Sequence, residues 1–415
     1  MKKAILAVLA LLSVTAAMAQ VYLEPGQLYG VYHMYDFSTF EKVKVPSGYK
    51  LLSINHYGRH GARYQDSEDA YVRVLAPLAD AHARNALTPL GESVFNRTEE
   101  FFELCRNHYG ELTRKGWDQE ITIAGNLYRA APHSFWKKAR ITATSSFSKR
   151  CMMTMAAFCT GLASKDPRLD IYACTSRTLL DATNPGDEAN VNYVATTPLP
   201  SPWDASYSSV LKSEVSREDA VSILLRLFKD RDGVMNHVKS PVNYCSALYN
   251  MIAGMGCVSD DLLIDDVFTE EELVRFYKAI NYGFFEWSAL KAQSCKPILA
   301  TILNEATADM ASGQKTVRLK FGHDVNLLAI MHMMQVEELG IVPERLQDLS
   351  ETWHCWMTPM AANLELFFYG NGKSILVLPY LNGEVVTFSG LEQVHGPFYR
   401  WEDVGSRIRE ILRRS

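Results

Sequence analysis

The sequence predicts an α/β protein with a mainly parallel sheet flanked by helices and a second, all-helical domain. Three β-rich segments, Lys50–Asn55, Ala139–Thr144 and Leu169–Cys174, alternate with helical stretches, and this order is typical of a parallel sheet. After a long run of helical signals, the strand pattern returns at Thr316–Phe321. We therefore expect one sheet domain that is interrupted by a helical insertion.

Helix starts are marked by capping residues. Thr88 and Pro89 suit the N-cap and the first turn of a helix, and Ser216 and Thr269 begin capping-box patterns. The helix after Thr269 is rich in aromatic residues at roughly helical spacing, which favours packing in the core over contact with a ligand. The last elements expected are two strands and a closing helix, at Leu364–Tyr369, Ser374–Leu378 and Trp401–Arg414.

The start of the chain has the pattern of a bacterial export signal. Lys2 and Lys3 precede an apolar run, and Ala17–Ala19 fits the small-x-small cleavage rule. The run is short for a bilayer span, and no other segment approaches that length. We expect a signal peptide over 1–19, a periplasmic or secreted protein, and no membrane association after cleavage.

The expected domain division places the α/β catalytic core at 20–175 and 301–415 and the helical insertion at 176–300. The 415 residues are 47% hydrophobic and 21% charged, as in ordinary globular proteins. A net charge of -5 argues against a general nucleic-acid binder. Any anion site must therefore be a local basic pocket.

Eight cysteines leave the disulfide pattern open. An oxidising compartment permits disulfides, but sequence cannot choose among the possible pairings. Cys245 and Cys257 are the closest plausible pair, whereas Cys151 and Cys159 share a predicted helix and are expected to be buried thiols. No C-x-x-C spacing occurs, which argues against a zinc site or a redox dithiol.

The segment Tyr57–Tyr64, just after the first strand, groups one histidine with two arginines. Arginine keeps its charge, and its planar fork matches phosphate oxygens. Nearby positive charge favours the neutral form of His60, and neutral imidazole is a nucleophile. The segment predicts that Arg59 and Arg63 hold a phosphoryl group while His60 attacks its phosphorus. For the motif alone, a surface basic cluster is the alternative.

Further residues with charged or titratable side chains follow other predicted strands. Arg150 lies in the loop after the second strand, and His323 and Asp324 follow the late strand. Ligands bind beyond the carboxyl ends of strands in parallel sheets. We therefore expect these side chains to meet the first loop, where they would supply further positive charge and one carboxylic acid.

These residues resemble the motifs of the histidine acid phosphatases. Arg59–Arg63 is similar to their R-H-G-x-R signature and Gly322–Asp324 to their late G-H-D. Leu112–Thr113 with Gly116, and Ser145–Arg150, are similar to further family landmarks. The resemblance implies a phosphoglycerate-mutase-like core with a helical second domain.

The resemblance also implies roles for single residues. His60 would be the nucleophile that forms a phosphohistidine, and Asp324 would protonate the leaving alkoxide and then help to activate water. Asp also suits the N-cap of the following helix. No metal or other cofactor is required. The phosphoryl oxygens would be bound by Arg59, Arg63, Arg150 and His323.

Two subgroups of the family compete. Tyr64 resembles the R-H-G-x-R-Y of the multiple inositol-polyphosphate phosphatases, but Gln65 replaces their usual proline. Those enzymes usually carry H-A-E at the late motif, whereas His323–Asp324 resembles the H-D of other phytases and general acid phosphatases.

The predicted function is an exported phosphomonoesterase for a small-molecule substrate, with inositol polyphosphates such as phytate as the main class. A general acid phosphatase for small monoesters such as sugar phosphates is one alternative. A non-catalytic phosphate-binding protein and a phosphotransferase are others, and the oligomeric state is left open.

Overall fold

The computed structural model describes residues 23–185, 206–340 and 342–414. The expected signal peptide over 1–19 lies outside the described residues. The described strands form one nine-stranded sheet with the order β3-β2-β4-β1-β5-β6-β9-β8, and β7 pairs with β6. The strands are β1 (Lys50–Arg59), β2 (Ala139–Ser145), β3 (Asp170–Cys174), β4 (Lys315–Gly322), β5 (Asn363–Gly370), β6 (Ile375–Leu381), β7 (Glu384–Val385), β8 (Gln393–Val394) and β9 (Phe398–Arg400).

The first four strands form the parallel half of the sheet, as predicted. β4 pairs in parallel with both β1 and β2, and β3 extends the sheet beyond β2. Arg59 is in register with Gly322, and Ser145 is in register with Phe321. The carboxyl ends of three neighbouring strands therefore meet at one edge. The later strands add an antiparallel half, which begins with β5 beside β1.

The helices begin where the capping residues predict. The hydroxyl of Thr88 accepts a hydrogen bond from the Gly91 amide at 3.0 Å, and Ser216 and Thr269 form complete capping boxes. The helices are α1 (Asp69–Ala83), α2 (Pro89–Cys105), α3 (Arg114–Ala130), α4 (His133–Trp136), α5 (Lys149–Lys165), α6 (Leu180–Thr183), α7 (Tyr207–Glu214), α8 (Arg217–Leu224), α9 (Arg231–His237), α10 (Pro241–Met255), α11 (Glu270–Ser312), α12 (Asp324–Met334), α13 (Leu349–Thr352) and α14 (Trp401–Arg413).

The long helix α11 connects the helical region to the sheet. Phe276, Tyr277 and Phe285 are buried, as the helical spacing of the aromatics predicts, but Trp287 is 55% exposed. Near the other end of the helix, Asp309 accepts a hydrogen bond from the Arg318 guanidinium of β4 at 3.0 Å. The helix continues through residue 300, where the sequence places a domain boundary, and that division stays a prediction.

Apolar side chains cover both faces of the sheet. Alternate residues of β5 point to opposite faces, so that Leu366 and Phe368 pack in one core and Phe367 and Tyr369 pack in the other. The first core includes the helical region, and the second includes α3 and α5. Burial on both faces explains why this strand has an almost continuous apolar sequence.

All eight cysteines lie in the described ranges, and each is a free thiol. The suggested pairing of Cys245 with Cys257 is therefore wrong, and both side chains are buried as small apolar groups. The expected burial of Cys151 is confirmed, whereas Cys159 is only partly buried. No helix of the described residues is long and apolar enough to cross a membrane.

The buried carboxyl of Glu120 in α3 should make the stability of the folded protein depend on pH. Its side chain is 2% exposed, and burial raises its pKa well above the ordinary value. Below about pH 4.3 the carboxyl is protonated in both the folded and the unfolded state, and its burial costs no stability through ionisation. As the pH rises from there through the folded pKa, the unfolded state releases the proton first, and the folded state therefore loses stability. We expect Glu120→Gln to raise the melting temperature by a few degrees at pH 8 but not at pH 4.

Thermal denaturation followed by circular dichroism would measure this difference. The matched control is Glu99→Gln, because Glu99 is an exposed residue of α2. An equal change in melting temperature at both pH values for Glu120→Gln would contradict the prediction.

Candidate active site

The loop after β1 is held against the start of α3 by close backbone contacts. Thr113 donates hydrogen bonds from its amide and its hydroxyl to the Ala62 carbonyl, at 2.9 and 3.0 Å. A methyl group added at Gly61 would lie 2.6 Å from the Gly116 carbonyl oxygen, and one added at Gly116 would lie 2.2 Å from that of Ala62. Small residues in both segments therefore let the helix fix the position of His60.

His60 is buried and has one ring nitrogen committed to a hydrogen bond. Its Nδ1 lies 2.9 Å from the Gly61 carbonyl oxygen, and because a carbonyl only accepts, Nδ1 must carry the proton. The lone pair of the neutral ring is then on Nε2. Burial lowers the pKa of His60 well below its ordinary value, and Arg59, Arg150 and Arg63 lower it further. His60 is therefore a neutral imidazole with a defined tautomer, as a nucleophile requires.

Arg59 lies beneath the site and is completely buried. Its Nη1 donates to the carbonyl oxygens of Val31 and Thr358 at 2.5 and 2.8 Å, and its Nη2 lies 2.9 Å from Asp324 Oδ2. Burial lowers the pKa of Arg59, and Asp324 partly offsets this effect. The two carbonyls fix the guanidinium in place.

Arg63, in the loop after β1, and Arg150, in the first turn of α5, share one carboxylate. The expectation that Arg150 lies in the loop after β2 is therefore wrong, because α5 begins at Lys149. The Nη2 of Arg63 lies 3.1 Å from Asp66 Oδ2, and the Nη1 of Arg150 lies 3.2 Å from Asp66 Oδ1. Arg63 also packs over the Tyr32 ring, 5.7 Å from its centroid. Asp66 therefore holds the two cations in one place.

Some donors of these arginines are buried without a partner. Among the described residues, the Nε atoms of Arg59, Arg63 and Arg150 are buried and make no hydrogen bond. A buried donor without an acceptor is costly. Three such donors around one imidazole suit a site whose occupant is an anion with several acceptor oxygens.

His323 is connected to the loop after β2. Its Nε2 lies 3.2 Å from the hydroxyl of Ser146, and the Ser146 amide donates to the Phe321 carbonyl at 3.0 Å. The rings of His323 and His60 are 5.6 Å apart in an edge-to-face arrangement. The late motif therefore faces His60.

Asp324 is the first residue of α12, while His323 holds the N-cap position. The suggestion that Asp324 caps this helix is therefore wrong, although its carboxylate accepts a hydrogen bond from the Val325 amide at 2.8 Å. Burial alone would raise the pKa of Asp324, but Arg59 and His323 outweigh this and hold it below the ordinary value. The carboxylate is ionised at neutral pH.

These side chains line one cavity of about 630 Å³. Of the six residues predicted for the site, five line this cavity, and Arg59 contacts it through Asp324. The described residues contain no cluster of three or more side chains suited to a metal ion. The lining consists of His60, Arg63, Asp66, Arg150, Asn184, Tyr207, Asn250, Ile280, Gly283, Phe284, Trp287, His323, Asp324 and Val325.

Asp66 and the part of the cavity lining that comes from α7, α10 and α11 were not predicted from the sequence. The position of Asp66 three residues after Arg63 could have indicated an ion pair between these two side chains. Its contact with Arg150 could not be seen, because the two residues are far apart in the sequence. Phe284 and Trp287 were assigned to the core by their helical spacing. The structure corrects this for Trp287, which is 55% exposed, whereas Phe284 packs against the first core and also lines the cavity.

Asp66→Asn should strengthen the binding of inorganic phosphate. The change removes a negative charge that competes with the anion for Arg63 and Arg150. Exposed ion pairs contribute about 0.2–1 kcal/mol, which corresponds to at most about a fivefold change in affinity. We expect the inhibition constant of phosphate to decrease by up to that factor in steady-state assays.

Asp118→Asn is the matched control, because Asp118 is a half-exposed aspartate paired with Arg114 outside the cavity. Weaker phosphate binding in Asp66→Asn would contradict the prediction and would mean that the carboxylate mainly orients the arginines.

Solved structures of other proteins share the fold of this chain. No protein-family model and no curated protein sequence matches the chain. The apo crystal structure of multiple inositol polyphosphate phosphatase from Bifidobacterium longum matches with a TM-score of 0.74 and 16% identity, over 92% of this chain and 97% of the other. The phytase from D. castellii matches with a TM-score of 0.70 and 15% identity, over 96% and 90%.

A third match is more distant. The phytase from Citrobacter braakii has a TM-score of 0.53 and 12% identity, over 87% of this chain and 98% of its own. All three matches extend over most of both chains. The chain therefore has the fold of the histidine acid phosphatases, as its motifs predicted.

Proposed function

We propose that the protein hydrolyses phosphate monoesters through a phosphohistidine at His60. The observation that carries the proposal is the state of this side chain. It is a buried, neutral imidazole with its proton held on Nδ1 by the Gly61 carbonyl, and it shares a cavity with Arg63, Arg150 and Asp324. A structural histidine needs none of these neighbours.

In the first step, the Nε2 lone pair of His60 attacks phosphorus and the bond from phosphorus to the ester oxygen breaks. Arg59, Arg63 and Arg150 would neutralise the charge on the equatorial oxygens, which is the main requirement of phosphoryl transfer. The leaving alkoxide takes a proton from Asp324. The products are an alcohol, phosphohistidine and an aspartate carboxylate.

Asp324 must be protonated for this step, although Arg59 keeps its carboxylate ionised in the free protein. A bound phosphate ester brings negative charge next to the carboxylate and also competes for Arg59. Both effects raise the pKa of a carboxyl group. We infer that substrate binding, or entry of the substrate as a monoanion, supplies the protonated form.

In the second step, water attacks the phosphohistidine and the bond between phosphorus and Nε2 breaks. The Asp324 carboxylate accepts the proton from water, which restores the acid for the next cycle. His60 leaves as a neutral imidazole. This step distinguishes the proposed hydrolase from a phosphotransferase, in which a second alcohol would replace water.

Two substrate classes are proposed, both for an exported enzyme. Inositol polyphosphates are supported by the names of the similar structures, one of which is a Bifidobacterium longum phosphatase in complex with inositol hexasulfate. Small monoesters such as sugar phosphates are supported by the cavity itself, because the arginines of its lining, Arg63 and Arg150, both pair with Asp66.

Turnover of para-nitrophenyl phosphate by the purified protein tests the proposal. We expect many turnovers per molecule without added metal, and inorganic phosphate equal to the nitrophenol released. Binding without turnover would mean a phosphate-binding protein. Nitrophenol in excess of phosphate, with a phosphorylated acceptor, would mean a phosphotransferase.

A further inference from the structure

Gln65 lies two residues after Arg63, and the proposed mechanism gives it no part. Its backbone is held from two sides. The Gln65 amide donates to the Tyr71 hydroxyl of α1 at 2.9 Å, and the Gln65 carbonyl accepts from the Gly110 amide at 2.8 Å. A proline at this position would lose the first contact, because it has no amide hydrogen. The side chain of Gln65 therefore extends from a fixed point of the loop.

The side-chain amide of Gln65 joins this loop to α10. Its Nε2 lies 3.2 Å from the carbonyl oxygen of Asn250, and its Oε1 lies 3.0 Å from the Tyr32 hydroxyl. A carbonyl oxygen only accepts, so the nitrogen of the amide must face Asn250. Gln65 Oε1 is then the acceptor of a hydrogen bond that the Tyr32 hydroxyl donates.

The contact with α10 depends on a glycine of that helix. Gly254 lies one turn after Asn250, and a methyl group added there would overlap Gln65 Nε2 and would lie 3.7 Å from Tyr32 Cε1. The overlapping atom is the end of a flexible side chain, so the amide would move and the helix would not. The bare surface at Gly254 therefore lets the amide reach the Asn250 carbonyl.

Tyr32 transmits this arrangement to Arg63. The Arg63 guanidinium lies over the Tyr32 ring, 5.7 Å from its centroid, and its Nη2 is 3.5 Å from the Tyr32 oxygen. Because the hydroxyl hydrogen is directed at Gln65, the lone pairs of the oxygen face the cation. The aromatic face and the oxygen then both attract the guanidinium. A hydroxyl that was free to rotate would lose the second attraction.

The other contacts of Arg63 constrain it less. Its Nη1 donates to the Tyr64 carbonyl at 2.9 Å, which is a contact within the same loop. Its Nη2 lies 3.1 Å from Asp66, but the Asp66 side chain is 58% exposed, and ion pairs with exposed carboxylates contribute little. Tyr32 is therefore the neighbour from outside the loop whose ring limits where the guanidinium can lie.

We propose that Gln65 and Tyr32 are positioning residues, which hold Arg63 where it binds a phosphoryl oxygen and fix its distance from α10. Neither residue lines the cavity, whereas Asn250 of α10 does. Affinity for the phosphoryl group would then depend on the contact between α10 and the loop after β1, in addition to the basic side chains. The catalytic part of this inference rests on the proposed function, but binding of inorganic phosphate tests the positioning by itself.

Calorimetric titration of inorganic phosphate into Gln65→Leu, Tyr32→Phe and the double variant measures the effect. We expect each single change to weaken phosphate binding by about threefold to tenfold, as the loss of one hydrogen bond does. The double variant should bind about as weakly as the weaker single variant, because both changes interrupt the same series of contacts. For para-nitrophenyl phosphate, kcat/KM should decrease by at least the same factor, since phosphoryl transfer depends on where the charges lie.

A third variant tests the same contact from the other side. Gly254→Ala keeps the side chains of Gln65 and Tyr32, and it should weaken phosphate binding equally because the added methyl displaces the amide. The matched control is Tyr35→Phe. Tyr35 lies in the same segment before β1, and its hydroxyl donates to Glu384 at 2.9 Å, outside the cavity. This control should bind phosphate as the wild type does.

Phosphate affinity in Gln65→Leu and Gly254→Ala within about 1.5-fold of the wild type, well below the effect of one lost hydrogen bond, would overturn the positioning role. A double variant whose loss equals the product of the two single losses would also overturn it, because independent sites behave in that way. No turnover of para-nitrophenyl phosphate by the wild type, with the expected coupling in phosphate binding, would overturn the proposed function and leave the positioning role intact.

Discussion

His60→Ala is expected to reduce phosphate release from every monoester by on the order of 10⁴-fold or more, because it removes the atom that bonds to phosphorus. The arginines would remain, and they can still position the substrate for direct attack by water, but such attack lacks the covalent route. Release of inorganic phosphate over hours, compared with the wild type, measures the loss.

Two further measurements make this result interpretable. The variant should still bind inorganic phosphate, since Arg63 and Arg150 do not depend on the imidazole for their contacts. Mass spectrometry of acid-labile adducts should find a phosphorylated His60 peptide in the wild type only. The matched control is His82→Ala, because that histidine is half-exposed on α1.

Release of phosphate within tenfold of the wild type would rule out His60 as the nucleophile. Loss of both activity and phosphate binding would require His60→Gln, which preserves more of the buried volume, to separate folding from chemistry.

Asp324→Asn is expected to have an effect that depends on the leaving group. An alkoxide needs a proton as it leaves, so activity on sugar phosphates should fall by about 10²–10⁴-fold. Para-nitrophenolate leaves without one, so phosphorylation of His60 should remain fast with that substrate. The second step lacks its base in the variant, and phosphoenzyme should therefore accumulate.

Rapid-quench measurement of nitrophenol would show this as a burst of one equivalent followed by slow turnover. Asp66→Asn is the matched control, since it removes a carboxylate from the same cavity without the proposed proton transfer. Equal slowing of His60 phosphorylation with both leaving groups, and therefore no burst of nitrophenol, would show that Asp324 acts through Arg59 instead, as an orienting partner.

The convergence of the six predicted site residues could be predicted because they belong to short motifs at strand ends. Parallel strands bring their carboxyl ends to one edge, so the residues after β1, β2 and β4 meet whatever their distance in sequence. Arg59 opposite Gly322 and Ser145 opposite Phe321 show this register. The glycines and Thr113, which let the loop pack on α3, belong to the same motifs.

The ionisation of Asp324 could not be predicted in this way. The motif implies an acid, but the charge on the carboxylate depends on its distance to the Arg59 guanidinium. That guanidinium is held in place by hydrogen bonds to the carbonyl oxygens of Val31 and Thr358. Neither carbonyl belongs to a motif. Electrostatic effects of this kind depend on three-dimensional distances.

The sequence by itself determined the α/β class and the edge of the sheet at which the six predicted site residues meet, because strand alternation and local motifs encode them. Only the tertiary structure decided that Asp66 pairs with Arg150 as well as with Arg63, and that Trp287 is exposed. A helix of 43 residues presents every face along its length, so aromatic spacing cannot tell which ring points into a cavity. That depends on how α11 packs between α7 and the sheet, which is a property of contacts distant in sequence.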